Sequence, residues 1–199
     1  LSSMPGYKEP EHVKREKEFL KSRTDPECGY IHQACKRGLG YLTEMTVDTS
    51  HGIITGVDCY PANRRESDMI LEHLKGQPCK YQEIGLDGGY DIGAVHRGLE
   101  LLGIQGYTAI REYQNNAMKK GFCYEEETDR FVCRQGEYLA FQKLIYKKST
   151  QNYYRLYSRS KKQCKNCPHF SSCATDLGTV RINASAYYPS FYRNSKKVG

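Results

Sequence analysis

Ile84-Gly85-Leu86-Asp87-Gly88-Gly89-Tyr90-Asp91 carries a carboxylate out of a short apolar run and straight into a turn. The run reads as a strand, and a helical pattern starts just after Asp91, so Asp87 falls at the carboxyl end of that strand. Open α/β sheets keep ligands and chemistry along this edge, and two glycines let a phosphate and its metal come close to the backbone. The same residues also read as an Asp that only starts a turn, which is the common meaning of Asp followed by Gly.

Outward from this point the chain alternates strands and helices. Asp91 is expected to cap a helix whose apolar positions Ile92, Val95, Leu99 and Leu102 recur at helical spacing until Gly103. Tyr81 to Leu86 and Ile104 to Arg111 read as strands on either side. A strand, a helix and a strand in so few residues imply a parallel pair with a right-handed crossover. Upstream, Tyr41 to Val47 and Ile53 to Tyr60 read as a hairpin around the turn Asp48-Thr49-Ser50-His51-Gly52, closed by Pro61. A helix follows, with Ser67 as its expected cap, Ile70, Leu71 and Leu74 on one face, and Gly76 past its end.

Beyond Arg111 the pattern becomes antiparallel. Phe122 to Glu126, Arg130 to Cys133, Glu137 to Tyr146 and Tyr153 to Tyr157 read as strands, with no helix before the chain ends. This part holds Cys133, the CxxC pair Cys164 and Cys167, and Cys173. Four thiolates on two turns suit a closed, structural Zn²⁺ site that would staple a module with little core of its own. Reduced, unliganded cysteines or a disulfide pair are the alternatives. Cys28, Cys35, Cys59, Cys79 and Cys123 lack such spacing and read as small buried hydrophobes.

Charge divides the chain the same way. Residues 1–118 carry 14 Lys and Arg against 17 Asp and Glu, net −3, whereas residues 119–165 carry 12 against 5, net +7, and residues 166–199 carry 4 against 1, net +3. A neutral-to-acidic module joined to a basic one suits chemistry in the first and a grip on a polyanion in the second; a solvated basic surface is the plainer reading. Lys143, Lys147, Lys148, Arg155, Arg159, Lys161 and Lys162 interleave with Tyr138, Phe141, Tyr146, Tyr153, Tyr154 and Tyr157, a mixture suited to phosphate contact and base stacking, with about half of the aromatics expected to pack inside. No apolar stretch approaches the roughly 18–20 residues of a membrane helix, and the start is charged rather than signal-like, so a soluble intracellular protein is expected.

Several of these pieces together resemble bacterial insertion-sequence transposases of the DDE type, whose catalytic domain is ribonuclease H-like. They are Thr24-Asp25-Pro26-Glu27, Gly40-Tyr41 leading to Val47-Asp48, Gly52-Ile53-Ile54, Asn63, Asp68, Leu86-Asp87-Gly88-Gly89-Tyr90-Asp91, and the four cysteines. The resemblance spans about residues 20–180. It implies that Asp25 and Asp87 are the first two catalytic carboxylates, holding Mg²⁺ or Mn²⁺ for cleavage and strand transfer on transposon ends and target DNA. It also implies a cytoplasmic, nucleoid-associated protein that could pair with a second copy in a synaptic complex. Glu27 and Asp48 compete with Asp25, although Asp48 is more simply a turn residue and His51 a surface one.

The family's third carboxylate is a Glu on a helix after the insertion. No Glu follows Glu137, Asp176 is the only later acid, and Glu112, Glu125, Glu126 and Glu127 sit at a strand end or in a hairpin turn. The missing acid is therefore expected beyond Gly199, and the chain reads as an excised fragment. The expected organisation is a partial ribonuclease H-like α/β core with a mixed sheet and flanking helices over residues 1–115, a basic, zinc-binding β-rich insertion over 116–180, and a tail over 181–199. A zinc-ribbon DNA or protein adaptor without catalysis, and a structure-selective nuclease on the same fold, are the other functions compatible with these residues.

Overall fold

The computed structural model describes residues 3–8, 21–33, 36–111, 121–174 and 179–198. The chain is mixed α/β and divides into two compact units. One holds the described residues of Leu1–Glu11 and Arg111–Arg193, the other those of His12–Ile110 and Asn194–Gly199. Cys35, Glu112 and Asp176 lie outside the described residues.

The unit that carries Asp87 contains two sheets. Strands β1 (Gly29–Gln33), β2 (Lys36–Asp48) and β3 (Ile53–Pro61) form an antiparallel sheet in that order. The hairpin of β2 and β3 is the expected one, with Glu44 opposite Asp58 and Met45 opposite Val57. Strand β1, which the sequence reading left unassigned, pairs Gly29 to Gln33 with Gly40 to Lys36 and lengthens β2 at its start. The second sheet is the parallel pair β4 (Glu83–Leu86), which starts later than the sequence suggested and ends where expected, and β5 (Gln105–Thr108), shorter at both ends.

Between the sheets in chain order lies α1 (Glu66–Gly76). It begins before Ser67: Arg65 is the extended cap residue, no side chain caps it, and Glu66 and Asp68 place negative charge against the positive end of the helix dipole. Helix α2 (Gly93–Leu101) links β4 to β5. Its cap residue is Ile92 rather than Asp91. Asp91 is instead fully buried, with its Oδ1 2.9 Å from the His96 Nε2, so its carboxylate is spent on an internal pair. Gly103, with φ +71°, stops α2 as expected, because this left-handed conformation strains any residue with a Cβ.

Ile70 and Leu74 of α1, Val95 and Leu99 of α2, and Ile104 form the aliphatic core of this unit. The helices meet closely at Gly98, where a Cβ would collide with the Leu71 side chain. At the other edge Asn194 clamps β5: Thr108 donates its backbone N–H to the Asn194 Oδ1 at 3.1 Å, and the Asn194 amide donates back to the Thr108 carbonyl at 3.0 Å.

The second unit is a five-stranded antiparallel sheet in the order β10-β9-β8-β7-β6. Its strands are β6 (Cys123–Glu125), β7 (Arg130–Val132), β8 (Tyr138–Lys147), β9 (Asn152–Arg159) and β10 (Val180–Ser185). Three helices accompany it where none was expected before the chain end: α3 (Lys161–Cys164), α4 (Phe170–Cys173) and α5 (Tyr188–Val198), the last divided after Arg193 between the units. Residues 181–199 are thus not a tail. Through residue 185 they continue β10, an edge strand paired with β9, and α5 follows. Residues 3–8 also belong here rather than to the Asp87 unit, since Leu144 donates its N–H to the Pro5 carbonyl and Tyr7 stacks on Tyr153.

Nor is the core thin. Phe122, Tyr124, Phe131, Leu139, Tyr157, Val180, Ile182, Tyr188 and Phe191 are all buried in one cluster, with ring pairs at the offset and edge-on spacings that aromatic quadrupoles favour. A charged knot completes it. Asp129, held at φ +46°, accepts the hydroxyls of Tyr124 at 2.8 Å and Tyr157 at 2.7 Å and pairs with Arg155, whose Nε donates to the Tyr157 hydroxyl.

Candidate functional site

Strand β4 ends at Leu86 and delivers Asp87 to the carboxyl edge of the parallel pair, exposed to solvent. Its Oδ1 accepts the Gly89 N–H at 2.5 Å, which folds Gly88–Tyr90 into a single 3₁₀ turn. Asp87 is therefore a turn-former, and among the described residues its Oδ2 receives no hydrogen bond. One Asp87 oxygen builds the turn, and the turn leaves the other without a hydrogen bond on an exposed residue.

The turn has a second effect. It aims Tyr90 back at the hairpin, where its hydroxyl donates to the Glu44 Oε2 at 2.9 Å. Glu44 is 5% exposed, and its Oε1 is buried with no hydrogen-bond partner. Burial raises the Glu44 pKa; the Tyr90 hydrogen bond opposes the shift, the charges of Glu66 and Asp87 add to it, and His73 offsets part of it. The Tyr90 hydroxyl is likewise pushed up, first by burial and then by Glu44. Next to Glu44 on the same strand face, Thr46 lies 3.4 Å from the Nε2 of fully buried His73, whose Nδ1 is 2.6 Å from Asp58.

Asp25 has different company. The Tyr41 hydroxyl lies 2.8 Å and 3.0 Å from its two oxygens, and the Asp25 N–H donates to the Ser22 Oγ at 3.0 Å. The hydroxyl's hydrogen bond to the Asp25 carboxylate, followed by desolvation and the charges of Asp25 and Glu27, pushes the Tyr41 pKa up to about 12. The groups acting on Glu44 are led by Tyr90, Glu66, His73 and Asp87. Asp48 is the turn residue it was expected to be, accepting from Ser50 N–H and lying 2.7 Å from the exposed His51, which lowers its pKa. Among the described residues no three His, Cys, Asp or Glu side chains form a group able to hold a metal ion.

The four cysteines sit on two turns of the other unit. Gly136 N–H closes one onto the Cys133 carbonyl, and Cys167 N–H closes the other onto the Cys164 carbonyl. Cys133, Cys164 and Cys173 pack against the aromatic core. Burial raises the Cys164 thiol, Arg159 pulls it down, and Cys133, Cys167 and Cys173 push it further up. Among the described residues the four thiols do not form a metal-holding group. Cys59, Cys79 and Cys123 are exposed and Cys28 is half-buried. They are not the buried fillers expected, because Cys59 and Cys123 occupy outward positions of β3 and β6.

Of the basic residues singled out for DNA, Lys143, Lys147, Lys148 and Lys162 are exposed. Arg155 is not: it is 5% exposed, paired to Asp129 and laid over the Phe141 ring at 4.4 Å. Its planar, delocalised head packs on aromatics and forks onto a carboxylate, which suits it to the interior. Arg159 is largely covered and paired with Glu137. The side chain of Lys161 lies outside the described residues. Most of the aromatics are packing groups: Tyr157 is fully buried, Phe141 rests on it, and Tyr153 contacts both Tyr7 and Tyr146, while Tyr138 stays exposed beside Arg130 and Arg159.

No protein-family model, curated protein or solved structure matches this chain. Function therefore has to be argued from these groups themselves. Glu44, Tyr90 and His73 escaped the sequence reading. A signal existed in β2, where Leu42, Glu44 and Thr46 share one parity and Tyr41, Met45 and Val47 the other. The polar set is the buried one, with Glu44 and Thr46 enclosed and Met45 and Val47 exposed. Among the described residues no helix is long and apolar enough to cross a membrane.

Proposed function

We propose that this chain is part of a DDE-type DNA transposase: a ribonuclease H-like unit for metal-dependent phosphoryl transfer, and a basic unit that grips DNA. The observation that carries the reading is Asp87 at the exposed carboxyl edge of a parallel strand pair, with Tyr90 of the same turn bonded to the buried Glu44. Such an edge is where α/β sheets place chemistry, and hard carboxylate oxygens suit Mg²⁺ or Mn²⁺. Asp87 would hold the cation through the oxygen that the turn leaves unbonded, and glycines at 88 and 89 would let a phosphate approach the backbone. A divalent cation there would polarise the phosphoryl group and activate a water or a DNA 3′-hydroxyl. Asp87 keeps its place through the Gly89 hydrogen bond, and Tyr90 ties the turn to β2. Lys143, Lys147, Lys148 and Lys162 offer phosphate contacts on the other unit. A structural Zn²⁺ on Cys133, Cys164, Cys167 and Cys173 belongs to the same reading on the strength of the CxxC spacing, although the described side chains are not gathered into a metal-holding group.

Because no three acids converge among the described residues, residues 1–199 should bind DNA without cutting it. Fluorescence anisotropy with labelled duplex, alongside supercoiled plasmid incubated with Mg²⁺ or Mn²⁺, tests both halves. Salt-dependent binding without nicking is expected. Nicking abolished by Asp87→Ala would instead indicate a complete nuclease centre, and no DNA binding at low salt would overturn the transposase reading in favour of a protein adaptor.

A further inference from the structure

Resting on that reading, we propose that Glu44, rather than Asp25, is the carboxylate that shares a divalent cation with Asp87. The deciding observation is an orphaned oxygen: Glu44 Oε1 is buried without a hydrogen-bond partner, on a side chain 95% removed from solvent (5% exposed). Buried carboxylate oxygens are ordinarily satisfied, and one that is not calls for a donor or a cation. The neighbouring acid side chains supply no donor when ionised. Glu66 and Asp87 surround Glu44 with further negative charge, which a cation would neutralise.

The other oxygen explains the placement. Tyr90 donates to Oε2 at 2.9 Å, and Tyr90 closes the same 3₁₀ turn that Asp87 caps. One hydroxyl thus fixes the Glu44 carboxylate relative to the backbone that carries Asp87, leaving Oε1 and the Asp87 Oδ2 as the two uncommitted oxygens. Two carboxylates are enough. Mg²⁺ commonly keeps several waters and takes only one or two protein carboxylates, completing its shell with substrate phosphate, so no third side chain is required. Asp25, by contrast, already receives the Tyr41 hydroxyl near both oxygens. Tyr90 is then a positioning residue, acting through Glu44.

Mn²⁺ binding to residues 1–199, followed by electron paramagnetic resonance, tests this without DNA or activity. Glu44→Gln keeps shape and removes charge, and Asp87→Asn and Asp25→Asn do the same at the other positions. Glu44→Gln and Asp87→Asn should each weaken Mn²⁺ by at least the roughly 10- to 100-fold that loss of a supporting partner brings. Asp25→Asn should leave it unchanged, and Tyr90→Phe should weaken it less than Glu44→Gln. A second measurement needs no variant: Fe²⁺ with ascorbate and peroxide should cut the wild-type backbone beside Glu44 and Gly88–Tyr90. Scission near Asp25 alone, or Mn²⁺ affinity untouched by Glu44→Gln, would overturn the assignment. Retained Mn²⁺ binding in a chain that ignores DNA would instead strike only the transposase reading.

Discussion

The two units bury different things. Around α1 and α2 the apolar cluster is small and aliphatic, and the same unit buries Glu44, Thr46, His73, Asp91, His96 and Thr108. The five-stranded unit buries a larger aromatic cluster and gathers its interior charge into one knot at Asp129 and Arg155. A small core spends stability by enclosing titratable groups, so their retention points to use rather than to folding. In the aromatic unit the Asp129 knot is bonded internally, while the Tyr153 hydroxyl and the Arg159 Nε are buried without hydrogen-bond partners among the described residues. The contrast between the units lies in which groups are enclosed: buried carboxylates and imidazoles (Glu44, His73, Asp91, His96) around α1 and α2, and aromatic rings around the Asp129–Arg155 ion pair in the five-stranded unit.

If the Asp129 knot is structural, breaking it should produce the largest effect in the molecule. Arg155→Met removes the partner of Asp129 and the donor to Tyr157, and breaking a buried pair from one side typically loses about 3–5 kcal/mol. Urea unfolding followed by amide hydrogen exchange should show β7, β8 and β9 losing protection while α1 and α2 keep theirs. Equal loss in both units would mean that they do not unfold separately, and a change under 1 kcal/mol, roughly a surface pair's worth, would return Arg155 to the surface.

Zinc removal sharpens the comparison at a smaller scale. A thin module would collapse without metal, but this one has a core of its own, so only the segment around α3 and α4 should loosen. Purified, reduced protein should hold one Zn²⁺ per chain. Chelation should speed exchange over residues 161–174 by about tenfold or more and leave β7 and β9 protected. Protein that contains no zinc at neutral pH, with that segment still ordered, would leave the four thiols as packing groups that happen to be neighbours.

How much of this was readable beforehand follows the same divide. The hairpin, α1, α2 and the parallel pair were legible because period-2 and period-3.6 patterns and the glycines Gly76 and Gly103 mark them locally. What failed depended on tertiary partners. Asp91 looks like a cap until His96 is brought to it, Arg155 looks like a phosphate contact until Asp129 and Phe141 enclose it, and β1 shows only once β2 is there to pair with. The hairpin was legible as a hairpin, but not which of its faces is buried. Met45, Val47, Ile54 and Val57 point outward at roughly half exposure, which inverts the usual alternation and hid Glu44 on the buried face. Asp87 was legible because strand, turn and helix signals adjoin within eight residues.

The smallest expected effect separates surface charge from buried charge within the basic unit. Its net charge suggested that Lys147, Lys148 and Arg155 all touch phosphate, each contact contributing about 0.9 to the slope of log affinity against log salt. With Arg155 enclosed, only the two lysines, exposed at the β8–β9 turn, remain available. Lys147→Ala with Lys148→Ala should lower the slope by up to about 1.8 and leave unfolding unchanged, since exposed side chains rarely move stability by more than about 0.5 kcal/mol. Adding Arg155→Met should destabilise the unit without lowering the slope further, measured where the protein stays folded. Anisotropy isotherms across a salt series read both outcomes. If the triple variant loses about 0.9 more than the double, Arg155 reaches DNA after all and the knot opens on binding. If the double variant keeps the parental slope, the β8–β9 turn is a solvated surface and the grip on DNA lies with Lys143, Lys162 or residues outside this unit.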